Sequence, residues 1–294
     1  MLSKNRNRIK NNFSLIDIFV WLFVIFVLII VLSPLMNVLS LSLSSSEQVL
    51  TGNVSVFPKG FTFASFASIL KSGKILRAYT NSFLYTGTAV CISLILCTAT
   101  AYPLARKVLP ARNFFITMIL FTMFFNGGII PFYILMQNLG LMNSMWALVI
   151  PWAIPPFELF LLKNFFENVP EEIHEAAVID GASEYKILYN IFIPVAKPIF
   201  ATLAIFFAMA QWNNYITPLM YITSPSKFPL QLVLQEMLIE EQAKSSTQTI
   251  EFAALTSQGL KNATIVLSVL PLLVLYPFLQ KYFIGSIYVG AVKG

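Results

Sequence analysis

The residues able to do chemistry lie in two places, and the first is a crowd of carboxylates. Of 13 Asp and Glu, Glu158, Glu167, Glu171, Glu172, Glu175, Asp180 and Glu184 fall in one stretch. Grouped carboxylates can act as general acids and bases or hold a cation, but only where the fold takes them out of water. Here Glu171, Glu172 and Glu175 follow Pro170 directly, on the first turns of a helix whose N-terminal dipole favours negative charge. His174, the sole histidine, stands among them, and its expected place is a solvated face rather than a catalytic pair. Glu158 is expected near the inner end of an apolar segment, paired to a loop or snorkelling to water. The second place is Gln211, Trp212, Asn213, Asn214 and Tyr215, set in apolar sequence together with the more distant Asn126. Amides and aromatic rings give hydrogen bonds to hydroxyls and a flat face to stack on, which is what a neutral sugar needs. The same groups suit hydrogen bonding between helices, and both readings stand. The sequence holds no Gly-x-x-x-x-Gly-Lys-Ser/Thr loop, so it binds no ATP in P-loop fashion. No nucleophile with its base and no metal-ligand set stands out, so no enzyme, bound metal or nucleic-acid partner is expected.

The elements that must position these residues follow from composition. Hydrophobic residues make up 57% of the 294 and charged ones 11%, against about 25% charged in soluble domains. Lipid is the solvent such a chain suits. A span needs about 20 apolar residues at about 1.5 Å rise each. Six stretches qualify, at approximately 15–36, 80–104, 113–136, 144–163, 198–223 and 261–284. The first is too long for the apolar core of a signal peptide and is read as retained. Inside segments then carry Lys4, Arg6, Arg8, Lys10, Arg106, Lys107, Arg112, Lys163, Lys186, Lys197, Lys281 and Lys293. Only seven of the 19 basic residues fall outside, mainly on the two long connectors at about 37–79 and 224–260. The positive-inside rule therefore puts both termini in the cytoplasm. Cys91 and Cys97 lie within an apolar run and read as small buried hydrophobes.

Gln211, Asn214 and Tyr215 share a face at spacings of three and four, near the middle of the fifth span, where polar groups avoid lipid. Asn126, Gly127 and Gly128 fall near the middle of the third, with close packing the expected role of the glycines. Pro151, Pro155 and Pro156 are expected to kink the fourth. With span centres read as free of Asp, Glu, Lys and Arg, an ion-coupled secondary transporter is disfavoured. The connector at 164–197 is long for an inner loop and reads as structured. A helix from Pro170 carries Ile173, Ala176 and Ala177 on one face. Gly181 then breaks it, and a second helix runs from Ser183 to Ile193 before Pro194. The result is a compact knob whose small residues let another protein approach closely.

The stretch Glu175, Ala176, Ala177, Val178, Ile179, Asp180, Gly181 and Ala182, continuing to Ile191, Phe192, Ile193 and Pro194, resembles the EAA loop of ABC importer permeases. That pattern is Glu-Ala-Ala, three residues, Gly, then nine residues to Ile-x-Leu-Pro, and the departure here is Ile193 for leucine. The ending Gly290, Ala291, Val292, Lys293 and Gly294 is similar to the tail of sugar-importer permeases of the maltose-system group. The stretches Asn126–Pro131 and Gln211–Tyr215 look like a branch handling oligosaccharides and polysaccharide fragments. The resemblance implies an all-α, six-helix type I importer domain over 1–294, in the bacterial cytoplasmic membrane. It implies a second homologous permease, two ATPase subunits that carry ATP and Mg, and an outer solute-binding protein. Glu175, Ala176, Ala177, Asp180, Gly181, Ala182 and Pro194 would then seat the knob in an ATPase, and Gly290, Lys293 and Gly294 would reach the ATPase dimer. The solute would be a neutral or acidic saccharide, with amino acids, peptides or anions as alternatives.

Overall fold

The computed structural model of the protein describes residues 15–71, 73–245, 258–271 and 273–274, and among them every regular element is helical. The residues after 274, which hold the end of the sixth apolar segment and the tail residues Gly290, Lys293 and Gly294, lie outside that range. The chain divides into two compact units, Met1–Ser68 with Thr247–Val266, and Ile69–Ser246 with Leu267–Gly294.

The first unit is built on the helix Leu15–Ser42. Its apolar side chains stay exposed along its length, from Ile16 through Phe23 to Leu35, as a helix facing lipid or another subunit requires. The serines after it have a local task. Ser44 Oγ donates to the Ser40 carbonyl at 2.6 Å and accepts from the Lys59 amide at 3.0 Å, and the Thr62 amide donates to the Leu43 carbonyl at 2.9 Å. These bonds fold the connector back on the helix end. Gly60 makes the return possible: its φ is +63°, and a Cβ there would lie 2.5 Å from Ser45 Oγ.

The second unit is organised by the helix Lys74–Ala105. Ala89, Ser93, Cys97, Ala101 and Ala105 recur every fourth residue along it and are buried. This stripe of small side chains lets the helices Pro156–Glu167 and Lys197–Trp212 approach closely. Cys97 is fully buried there, whereas Cys91 is exposed in this chain, so the expectation of two buried cysteines holds for one. At the other end, the Asn81 amide donates to the Ser226 and Phe228 carbonyls at 2.9 and 3.0 Å, and the Tyr85 hydroxyl donates to the Lys227 carbonyl at 2.9 Å. These bonds pin the turn that leads into the helix Leu230–Ser245.

Among the described residues, two helices, beginning at Ile16 and Lys74, are long and apolar enough to cross a membrane unbroken, and up to five segments qualify if each bent pair counts as one. The bends have identifiable causes. Arg112–Phe124 meets Ile129–Asn138 at 114° through Gly128, whose φ is +87°. A Cβ on Gly127 would touch nothing, and one on Gly128 would only meet Pro131 at ordinary contact distance, 3.9 Å. The glycines therefore break the segment and do not pack it, contrary to expectation. Trp146–Trp152 meets Pro156–Glu167 at 48°, at the expected prolines. Glu184–Val195 meets Lys197–Trp212 at 79°, with Pro194 and Pro198 flanking the break. A π-helical turn at Leu188–Phe192 precedes Pro194, where the helix ladder must absorb a missing N–H.

Candidate functional site

The knob begins with the helix Glu171–Ile179, entered from Pro170. It ends in a Schellman turn: the Gly181 amide donates to the Val178 carbonyl at 2.9 Å, and the Ala182 amide to the Ala177 carbonyl at 3.0 Å. Gly181 holds φ +76°, and among the described residues none beyond its chain neighbours comes within 4 Å of a built Cβ. The turn aims the chain into Glu184–Val195, the second helix of the knob. Glu175, Ala176, Asp180 and Pro194 are exposed, Ala182 is partly buried and Ala177 is buried.

Of the face shared by Ile173, Ala176 and Ala177, only Ala177 is buried. Ile173 and Ala176 point outward, and His174, only 6% exposed, packs inward with Ala177. The reason is a polar clamp. Arg106, which caps the helix Lys74–Ala105, brings Nη2 to 2.7 Å from His174 Nδ1. A guanidinium only donates, so Nδ1 accepts and Nε2 carries the hydrogen. His174 Nε2 then donates to Glu184, 3.0 Å from Oε1. The Tyr102 hydroxyl donates to Glu184 Oε2 at 2.6 Å. The Tyr102 bond above all, then the His174 and Arg106 groups, hold the Glu184 carboxyl below the usual glutamate range, against the opposing effect of its partial burial. Below the clamp the rings of Tyr102, Phe166 and Phe192 meet edge to face, with centroids 5.1 to 6.2 Å apart. Such pairs add about 0.5–1.5 kcal/mol each beyond burial. Glu167 completes the base by pairing with Arg112 and, at 2.7 Å, with Lys163. Both knob helices are thus bound to the end of the Lys74–Ala105 helix.

The second candidate site is a half-open cavity of about 330 Å³. Gln211 and Asn214 line it, together with Ser93, Trp152, Glu158 and Thr217. The single helical face expected for Gln211, Asn214 and Tyr215 does not form, because the helix stops at Trp212. Asn213 Nδ2 donates to the Met209 carbonyl at 3.0 Å beside its own backbone amide, and Asn214 Oδ1 accepts from the Thr217 amide at 3.2 Å, so side chains cap the two helix ends at this break. Tyr215 and Asn213 are exposed off the cavity. Trp212 is buried on another side, with its ring 5.1 Å from Phe83 and its indole N–H donating to the Ser268 carbonyl at 3.4 Å. Asn126 is exposed and accepts from the Gly128 amide at 2.9 Å, shaping the bend of its own segment. Glu158 is a correction to the sequence reading. It does not sit at the inner end of its segment, because the helix runs on to Glu167 and Glu158 lies in its first turn, just past the proline bend. Trp152 was also missed, and its place between Pro151 and Pro155 at the bend was the available signal.

Bent apolar helices carrying a knob clamped to the end of the Lys74–Ala105 helix are what a helical membrane transport subunit would present. The chain belongs to the family of binding-protein-dependent transport system inner membrane components, whose profile matches residues 4–287. It is therefore a multi-pass helical membrane protein of the permease kind that the coupling loop and the tail led us to expect. Protein LplC of Bacillus subtilis (strain 168) is 36% identical over 90% of this chain and 90% of its own length. The polygalacturonan/rhamnogalacturonan transport system permease protein YtcP of the same organism is 32% identical, over 95% of this chain and 99% of its own. Among solved structures, a chain of a bacterial ABC transporter involved in import of the acidic polysaccharide alginate is similar with a TM-score of 0.84. It is 30% identical and the match covers 96% of this chain and 99% of that one.

Proposed function

We propose that this chain is the permease subunit of an ATP-driven, binding-protein-dependent importer of oligosaccharides or polysaccharide fragments. It forms half of a channel, completed by a second, similar permease, in the bacterial cytoplasmic membrane with both termini inside. The knob carries the reading. Its inner face is clamped to the Lys74–Ala105 helix, while Ile179 (85% exposed) and Tyr185 (87% exposed) stand out at its tip. Apolar side chains so exposed on a rigid element suit a partner surface. Among the described residues the carboxylates of Glu175 and Asp180 form no hydrogen bond or ion pair, which leaves them to orient such a partner. Two ATPase subunits hold ATP and Mg, and each permease seats its knob in one of them. Gly290, Lys293 and Gly294 reach the same subunits. A binding protein delivers solute to the outer connectors. Closure of the ATPases then moves the knob, the clamp carries that movement into the Lys74–Ala105 helix, and access switches from outside to inside. The saccharide class draws support from the relatives, since permeases named for polygalacturonan and diacetylchitobiose uptake match over most of this chain.

The test is ATP hydrolysis by the co-purified complex in lipid, with its binding protein and a panel of oligosaccharides, amino acids and peptides. One saccharide class is expected to stimulate hydrolysis severalfold. Stimulation by amino acids or peptides alone would overturn the sugar assignment and keep the coupling. Absence of any co-purifying ATPase would overturn the coupling itself.

A further inference from the structure

The cavity beside Gln211 and Asn214 holds one charge. The Glu158 carboxylate lines it, and among the described residues no lysine, arginine or histidine does. Nor does any described residue give Glu158 or Gln211 a hydrogen bond or an ion pair through its side chain. The basic residue nearest along the same helix, Lys163, is engaged by Glu167 at 2.7 Å. A carboxylate with free lone pairs, two amides, the Ser93 and Thr217 hydroxyls and the Trp152 indole make up the polar wall. We infer that Glu158 makes this cavity a subsite for an uncharged saccharide and disfavours acidic ones, an assignment that rests on the sugar-importer reading. The carboxylate accepts hydrogen bonds from neighbouring hydroxyls of a sugar ring, each charge-assisted. Gln211 and Asn214 serve hydroxyls of either role, and Trp152 offers a stacking face. A uronate entering the same space brings a like charge into a partly dehydrated site where, among the described residues, no cation offsets it. The inference separates this chain from relatives whose names specify acidic polymers, polygalacturonan and alginate. A rival explanation is local: Glu158 sits in a first helical turn, where the dipole favours an acid. That role affects stability, and it does not set a ratio between two ligands of the same shape.

The decisive measurement uses the intact complex in nanodiscs without its binding protein, titrated calorimetrically with trigalacturonate and with its fully methyl-esterified form. Neutral cello-, xylo- and mannotriose are run beside them. The esterified and neutral trimers are expected to bind about tenfold or more tighter than trigalacturonate. Glu158→Gln is expected to bring the two galacturonide affinities to within about threefold, and Glu158→Lys to reverse the order. Equal or tighter binding of trigalacturonate by the native complex would overturn the inference. So would a ratio unchanged in Glu158→Gln, which would leave the residue a helix-end role only. If no saccharide of either charge binds or stimulates ATP hydrolysis, while an amino acid or peptide does, the sugar reading falls and takes this inference with it. A preference for trigalacturonate in a complex that saccharides do stimulate overturns the inference alone.

Discussion

Replacing Gly181 by valine is expected to cut solute uptake at least tenfold while membrane insertion and basal ATP hydrolysis persist. The residue holds φ +76°, a region that costs an ordinary L-residue roughly 1–2 kcal/mol and is a true outlier for a β-branched one. The Schellman bonds at Val178 and Ala177 depend on that conformation, and they aim the chain at Glu184 three residues on. If the turn opens, Glu184 leaves Tyr102 and His174, and both helices of the knob lose their common anchor. Free space around the glycine makes the result interpretable. Among the described residues, none beyond its chain neighbours has an atom within 4 Å of a built Cβ, so a clash of the Cβ within the subunit does not account for a defect. Asparagine tolerates the left-handed region, and Gly181→Asn should keep most transport if backbone shape is all that matters. If Asn fails as badly as Val, the open space belongs to the seated ATPase. Normal uptake by Gly181→Val would remove this turn from the mechanism. The readouts are uptake into proteoliposomes, ATPase activity with and without solute, and the amount of complex in the membrane.

The knob was legible in the sequence because everything that shapes it is local. Pro170, the acids of the first turns, Gly181 and Pro194 lie within one connector, and each has a fixed conformational meaning. The clamp was not legible. Tyr102 and Glu184 are 82 residues apart, and Arg106 and His174 are 68 apart, so no periodicity links them. With no partner in view, a histidine among glutamates read as solvated. The breaks at Gly128 and after Trp212 were hidden for a related reason. Average hydropathy passes smoothly over Gly128 and over Asn213 and Asn214, although the first leaves the helical region of φ and the side chains of the other two cap helix ends. That blindness let Asn214 and Tyr215 share a helical face with Gln211, whereas Glu158 was misplaced because its helix runs on to Glu167. Gln211 and Asn214 were found because paired amides in an apolar run are visible whatever the helix does. The stripe from Ala89 to Ala105 was readable in principle, since its four-residue repeat is regular. Its meaning became clear only with the two helices that lie on it.

Cutting the clamp at His174 is expected to lower transport about tenfold and to uncouple it, because one imidazole joins three elements. In His174→Ala the Arg106 guanidinium, whose side chain is 17% exposed, keeps among the described residues one ion pair, with Glu171 at 4.0 Å. Leaving a buried charged donor poorly satisfied costs about 1–3 kcal/mol, and about 1.4 kcal/mol is a factor of ten in an equilibrium constant. Glu184 tempers the figure, since its side chain is 59% exposed and water takes part of the lost role. Tyr102→Phe removes one bond from the same carboxylate and leaves the aromatic stack, so its effect should be smaller. A merely structural contribution would appear as less complex in the membrane and a lower melting temperature, with transported solute per ATP unchanged. A coupling contribution appears in that ratio: hydrolysis continues, solute no longer stimulates it, and uptake per ATP falls. The double variant His174→Ala with Tyr102→Phe should then lose less than the sum of the two, because both act through Glu184. Strict additivity, or an unchanged ratio of uptake to hydrolysis in His174→Ala, would show that the push of the ATPase reaches the Lys74–Ala105 helix by another route. The Phe166 and Phe192 rings would be the next contact to cut.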